Sequence, residues 1–159
     1  MKGPIALYVG RVAIEKSVED FLKMDWDGTK VVVGDGPARE ELEAQYPDAK
    51  FLGVKTGEDL GEYYRSADVF VFPSRTDTFG MVLTEALASG LPVAAYNVTG
   101  PKDIVTEDFL GVLDEDLGKA AKQALTCGTP EQRAEHVKNY YTWENVGRQY
   151  LDALENKVK

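Results

Sequence analysis

The sequence predicts an α/β domain built on an open, doubly wound parallel sheet of about six strands, flanked by helices and followed by a helical C-terminal segment. Three observations lead there. Short β-rich runs alternate with helix-period segments along the first two thirds of the chain, and alternation of this kind implies parallel strands joined by right-handed crossovers, with both sheet faces covered. One junction is written out in full: the apolar run 69–72 stops at Pro73, a polar loop follows, and Met81, Leu83, Ala86, Leu87 and Ala88 then recur as a packed helix. The last third carries helical patterns only.

Taken in order, the strands are expected at 5–9, 30–33, 50–52, 69–72, 93–96 and 111–113, and the helices between them at 18–24, 38–45, 59–66, 80–89 and, briefly, 101–106. Thr129-Pro130-Glu131-Gln132 has the form of a capping box, with Thr129 as N-cap, proline at the first helical position and Gln132 reaching back. A last helix places Trp143, Val146, Tyr150, Leu151, Leu154 and Val158 near one face, an amphipathic surface that must dock on this domain or on a partner.

With 159 residues the chain forms one domain, 1–159, with a single core. Its 18 basic and 27 acidic residues leave a net charge of −9, which argues against non-specific binding to nucleic acid or anionic lipid. An anionic ligand must therefore find a local exception. The first fourteen residues supply one, with Lys2 and Arg11 and no acidic residue. The single cysteine, Cys127, excludes an internal disulfide and a cysteine-built zinc site. Neither a leader peptide nor a membrane-spanning apolar run is visible, so the expected location is cytoplasmic, with peripheral attachment to the inner membrane face left to a further lobe.

In doubly wound sheets ligands bind beyond the carboxyl ends of the strands, where the strand order reverses; the order 3-2-1-4-5-6 sets strands one and four side by side. Each unusual cluster falls at such an end: Gly10-Arg11-Val12-Ala13-Ile14-Glu15-Lys16 after strand one, Gly34-Asp35-Gly36-Pro37 after strand two, and the segment from Asp77 through Gly80 to Glu85 after strand four. In that order Arg11 and Lys16 face the start of the Gly80 helix, and two cations with a positive helix end form a diphosphate site. As isolated residues Arg11 and Lys16 would read as solvated surface charge; their place after strand one reverses that preference. Gly34 and Gly36 alone are turn residues. Arg39 occupies the third glycine of a G-x-G-x-x-G fingerprint, which disfavours a dinucleotide enzyme. Glu85, beside Leu83, Ala86 and Leu87, needs a partner if it is buried, and a ribose diol would satisfy it.

At these residues the chain resembles the donor-binding C-terminal lobe of family 4 nucleotide-sugar glycosyltransferases, a Rossmann-like lobe of the two-lobed GT-B architecture. The resemblance spans residues 7–154 and is carried by Gly10-Arg11 with Lys16, Gly34 to Pro37, Phe51-Leu52-Gly53, Ala67 to Ser74, Phe79-Gly80, and Glu85-Ala86 with Gly90 to Val93. It implies that Arg11 and Lys16 hold the donor diphosphate and that Glu85 holds the ribose. Main chain at Thr78, Phe79, Gly80 and Met81 would meet phosphate and sugar oxygens. Gly10, Gly34, Gly36, Phe51 and Leu52 would line the remaining donor surface, main chain near Gly34 and around Phe51 to Leu52 framing the base. Asp77 stands where the family carries a glutamate and keeps the charge on a shorter arm; with Arg11 and Lys16 it completes the catalytic set.

The resemblance further implies transfer of a hexose with retention of configuration, no cofactor and no metal, and a lipid or cell-envelope glycan as acceptor. It also implies that the acceptor-binding N-terminal lobe lies outside this chain, which by itself would bind donor and transfer nothing. Two rival readings are a nucleotide-sugar epimerase of the same architecture and a non-enzymatic nucleotide-binding module. His136 reads as structural or solvated, Cys127 as inert, and Trp143, Tyr140, Tyr141 and Tyr150 as core or interlobe packing in preference to a sugar platform.

Overall fold

The computed structural model describes residues 2–76 and 81–140. The strands are β1 Ile5–Val9, β2 Thr29–Val33, β3 Lys50–Phe51, β4 Val69–Phe72, β5 Val93–Ala95 and β6 Gly111–Leu113. They form one sheet in the order β3-β2-β1-β4-β5-β6, every pair parallel. The helices are α1 Val18–Lys23, α2 Arg39–Gln45, α3 Gly57–Ser66, α4 Met81–Ala88, α5 Pro101–Ile104, α6 Leu117–Ala124 and α7 Pro130–Tyr140. The expected fold and strand order are both present.

Side-chain alternation explains why central strands are apolar at every position. Ala6, Tyr8, Val32, Val69, Val71 and Ala94 point to one face and pack with Phe21 and Leu22 of α1, Leu42 of α2, and Ala120, Ala121 and Ala124 of α6. The intervening Leu7, Val9, Val31, Val33, Phe70, Phe72, Val93 and Ala95 face the other way, onto Tyr64 of α3, Leu83, Ala86 and Leu87 of α4, and Ile104 of α5. Each central strand is thus buried twice, which only a helix-covered parallel sheet requires.

The observed boundaries differ from the expected ones by a residue or two. The segment 101–106 closes only one turn, Pro101–Ile104, and β5 stops at Ala95 because Tyr96 leaves the sheet to reach Asp20. The alanine-rich helix α6, within the helical last third, is capped by Asp116, whose Oδ1 accepts from the Lys119 N–H at 3.1 Å. The amphipathic segment 143–158 lies outside the described residues.

The capping box forms in both directions. Thr129 Oγ1 accepts from the Gln132 N–H at 3.2 Å, and Gln132 Oε1 accepts from the Thr129 N–H at 2.9 Å. Thr129→Ala is expected to cost about 1 kcal/mol in urea unfolding. Inside α7, Arg133 is only 4% exposed and donates to the carbonyls of Gly90, Phe109 and Cys127 at 2.8, 3.2 and 2.6 Å. It ties α7 to the ends of three other segments.

Candidate functional site

Connections leave β1 and β4 toward opposite faces, so the reversal point lies between these neighbouring strands. A cleft of about 540 Å³ opens there, lined by Gly10, Arg11, Glu15 and Lys16 from the loop after β1, Ser74 from the loop after β4, and Met81 and Val82 from the start of α4. Four expected site residues, Gly10, Arg11, Lys16 and Met81, therefore share one cleft. Asp77, Thr78, Phe79 and Gly80 lie outside the described residues.

The cationic loop is held by its main chain. Gly10 N–H donates to Val33 at 3.0 Å, Val12 N–H to Asp35 at 3.0 Å, and Ala38 N–H to Val12 at 3.0 Å, while the Tyr8 hydroxyl donates to the Arg11 carbonyl at 2.8 Å. A 3-10 turn, Ile14–Lys16, follows and ends on Ser17 in the left-handed region (φ 55, ψ 35), a conformation costly for a residue with a side chain. That reversal ends the turn at Lys16 and starts α1.

The cleft is not purely cationic. Glu15 Oε1 accepts from Arg11 Nη1 at 2.7 Å, both side chains being more than half exposed. Such a pair contributes at most about 1 kcal/mol, so a ligand with two phosphate charges can displace it. Glu15→Gln is expected to tighten nucleoside diphosphate binding by about two- to fivefold, measured by calorimetry at fixed salt.

Gly34 and Gly36 are required by close approach. A Cβ on Gly34 (φ +137) would stand 1.8 Å from the Gly10 carbonyl oxygen, and one on Gly36 would stand 2.2 Å from that of Val12. Gly34 N–H also donates to Gly53 at 2.8 Å, and Leu52 N–H to Val32 at 3.0 Å, while Phe51 packs partly buried against the core. Gly36 lines a separate depression with Asp35 and Arg39. There the Gly36 N–H holds the Asp35 carboxyl below its usual range, assisted by Arg39 at 3.1 Å.

The condition set for Glu85, that a carboxylate there needs a partner if it is buried, does not arise by burial, although a partner is present. Glu85 is exposed, and its Oε2 accepts from the Tyr64 hydroxyl at 2.9 Å. One turn of α4 separates it from Met81. The helix is apolar because Leu83, Ala86 and Leu87 point inward, while position 85 falls on the side facing α3.

Other residues near the site carried no recognisable sequence signal. The Arg75 guanidinium lies 3.6 Å from the centroid of the Tyr96 ring and pairs with Glu115 at 3.1 Å. The Tyr96 hydroxyl donates to Asp20 at 2.7 Å, and its pKa is pushed up to about 12, by burial first and by Asp20 second. This chain of contacts joins α1, β5 and β6 to the loop that enters segment 77–80.

His136 meets Phe109 edge to face at 5.7 Å and lies tilted against Tyr140 at 4.6 Å between ring centroids. Cys127 is half-buried and burial pushes its thiol pKa up, the reverse of an activated nucleophile. Among the described residues no group of three His, Cys, Asp or Glu could hold a metal ion, and no helix is long and apolar enough to cross a membrane.

A parallel sheet with a cation-bearing cleft at its reversal point defines the class of doubly wound α/β lobes. Residues 3–129 match the family model described as "Glycosyl transferases group 1", and the chain belongs to that family. It is 44% identical over 112 residues, 69% of this chain and 30% of the relative, to a GDP-mannose-dependent alpha-mannosyltransferase of Mycobacterium tuberculosis. It is 41% identical over 156 residues, 91% of this chain and 38% of the relative, to the protein of that name in Corynebacterium glutamicum. A sulfoquinovosyl transferase of Arabidopsis thaliana is 42% identical over 114 residues, 68% of this chain and 22% of its own.

The chain thus spans between 22% and 38% of the length of these relatives. Among solved structures, a sucrose-phosphate synthase of Thermosynechococcus elongatus superposes with a TM-score of 0.79 at 29% identity, covering 98% of this chain and 45% of that one. A lipopolysaccharide outer core galactosyltransferase superposes at 0.80 with 18% identity, covering 98% and 50%. The fold is that of one GT-B lobe.

Proposed function

We propose that this chain is the donor-binding lobe of a retaining, metal-independent hexosyltransferase that moves a sugar from a nucleoside diphosphate to a lipid or cell-envelope glycan. The observation that carries the reading is the meeting of Arg11 and Lys16 with the start of α4 in one cleft at the sheet's reversal point. When the anomeric carbon–oxygen bond breaks, negative charge grows on the departing diphosphate. A guanidinium, an ammonium and the positive end of a helix are suited to stabilise it. In this reading the two side chains take the part a divalent cation plays elsewhere, and Glu85 with the main chain at Gly34, Gly36, Phe51 and Leu52 holds the nucleoside.

Relatives named as GDP-mannose-dependent make a guanosine donor the first to test. Titrating GDP, UDP and ADP, with their mannose and glucose conjugates, into this chain tests binding and base choice together. Saturable binding of one of them, weakened by rising salt, is the expected result. Absence of binding to all of them would overturn the reading.

A further inference from the structure

We infer that Tyr64 is a positioning residue for nucleoside recognition, holding the Glu85 carboxylate in the orientation that receives the ribose hydroxyls. This inference rests on the reading that Glu85 meets the ribose. Tyr64 sits on α3 and is 3% exposed, its ring tilted against Phe70 at 6.0 Å between centroids. Its hydroxyl donates to Oε2 of the exposed Glu85 at 2.9 Å.

The chemistry of the pair is one-directional. Burial, the charge of Glu85 and the hydrogen bond to it all push the phenol pKa up, so the hydroxyl keeps its proton and remains a donor throughout the range in which proteins are handled. A carboxylate has about four acceptor sites on two oxygens. With Oε2 engaged by a buried partner, the acceptor sites of Oε1 remain for a ligand, one turn of α4 from Met81 of the cleft. An exposed glutamate on a helix otherwise samples several rotamers, and a diol that bonds to both oxygens pays for fixing one of them. The Tyr64 ring, locked in the core, has already been fixed by folding.

The test uses Tyr64→Phe, which retains the ring on Phe70 and removes one oxygen. Affinities for GDP and for 2′,3′-dideoxy-GDP are compared by calorimetry in the 159-residue protein, in Tyr64→Phe, in Glu85→Gln and in the double variant. In the wild type GDP should bind more tightly than its dideoxy form. Tyr64→Phe should weaken GDP by roughly fivefold while leaving dideoxy-GDP unchanged, and should add nothing further in Glu85→Gln.

A merely structural tyrosine would weaken both nucleotides alike or neither, and either outcome overturns the inference. If Glu85→Gln removes the preference for GDP and Tyr64→Phe does not, the ribose assignment survives and the positioning role falls. If the wild type itself fails to distinguish the two nucleotides, the ribose assignment falls and the inference with it.

Discussion

Alanine at both Arg11 and Lys16 is expected to remove measurable nucleoside diphosphate binding, with each single change weakening it by about tenfold or more. A charge-assisted hydrogen bond contributes about 1.5–3 kcal/mol, equivalent to roughly 10- to 150-fold in affinity. The lower part of that range is appropriate for Arg11, because it must leave Glu15, to which it is bonded at 2.7 Å, before it meets phosphate. Arg11→Lys should fall between wild type and alanine, since it keeps the charge and loses the planar fork that grips two oxygens. Calorimetric titration in a salt series checks this, and the slope of affinity against salt should flatten in the double variant. Unchanged affinity in both single variants would place the phosphates somewhere else.

The largest stability loss is expected at a position remote from the cleft. Arg133→Met should destabilise the domain by about 3 kcal/mol, because a buried guanidinium there serves three carbonyl oxygens, those of Gly90, Phe109 and Cys127. Each buried acceptor left unpaired costs about 1–3 kcal/mol, and the methionine recovers part of the sum through packing. No carboxylate is bonded to Arg133 among the described residues; three carbonyl dipoles converge on the charge, one of them at the C-terminal end of α4. Thermal unfolding should show a midpoint lower by about 6–12 °C, with nucleotide affinity below that midpoint unaltered.

The sheet was legible because each of its central strands must be apolar on both sides and each crossover announces itself by a change of period. Strand order was expected only as the usual one for doubly wound sheets, and the capping box at Thr129 and Gln132 could be read letter by letter because all its partners are local. What escaped were contacts between distant parts of the chain. Arg133 reads as an ordinary surface arginine until α7 is laid against Gly90, 43 positions earlier. Whether Glu85 is buried among its apolar neighbours could not be read locally; the orientation of α4 toward Tyr64 leaves it exposed with a phenol as partner. The Arg11 to Glu15 pair is local in sequence, yet it forms across a loop and a 3-10 turn where no helical spacing announces it. Helix α6 is rich in alanine and lysine with one glycine, and Gly118 is demanded by the backbone of Asp25, a Cβ there standing 2.8 Å from its carbonyl oxygen. A distant neighbour of that kind leaves no mark in the local pattern.

The nesting of Gly34 and Gly36 against the loop after β1 bears on how donor preference can be altered by directed evolution. Both positions are closed to any side chain, since the carbonyl oxygens of Gly10 and Val12 already fill the space. If this floor frames the base, whatever it reads it reads with peptide groups, and swapping amino acids at either position will break the floor before it changes the reading. Libraries aimed at exchanging one base for another gain nothing by varying these two glycines. They are better spent on the wall, at Arg39, whose guanidinium lies over Gly53, and at the exposed Val54 beside it.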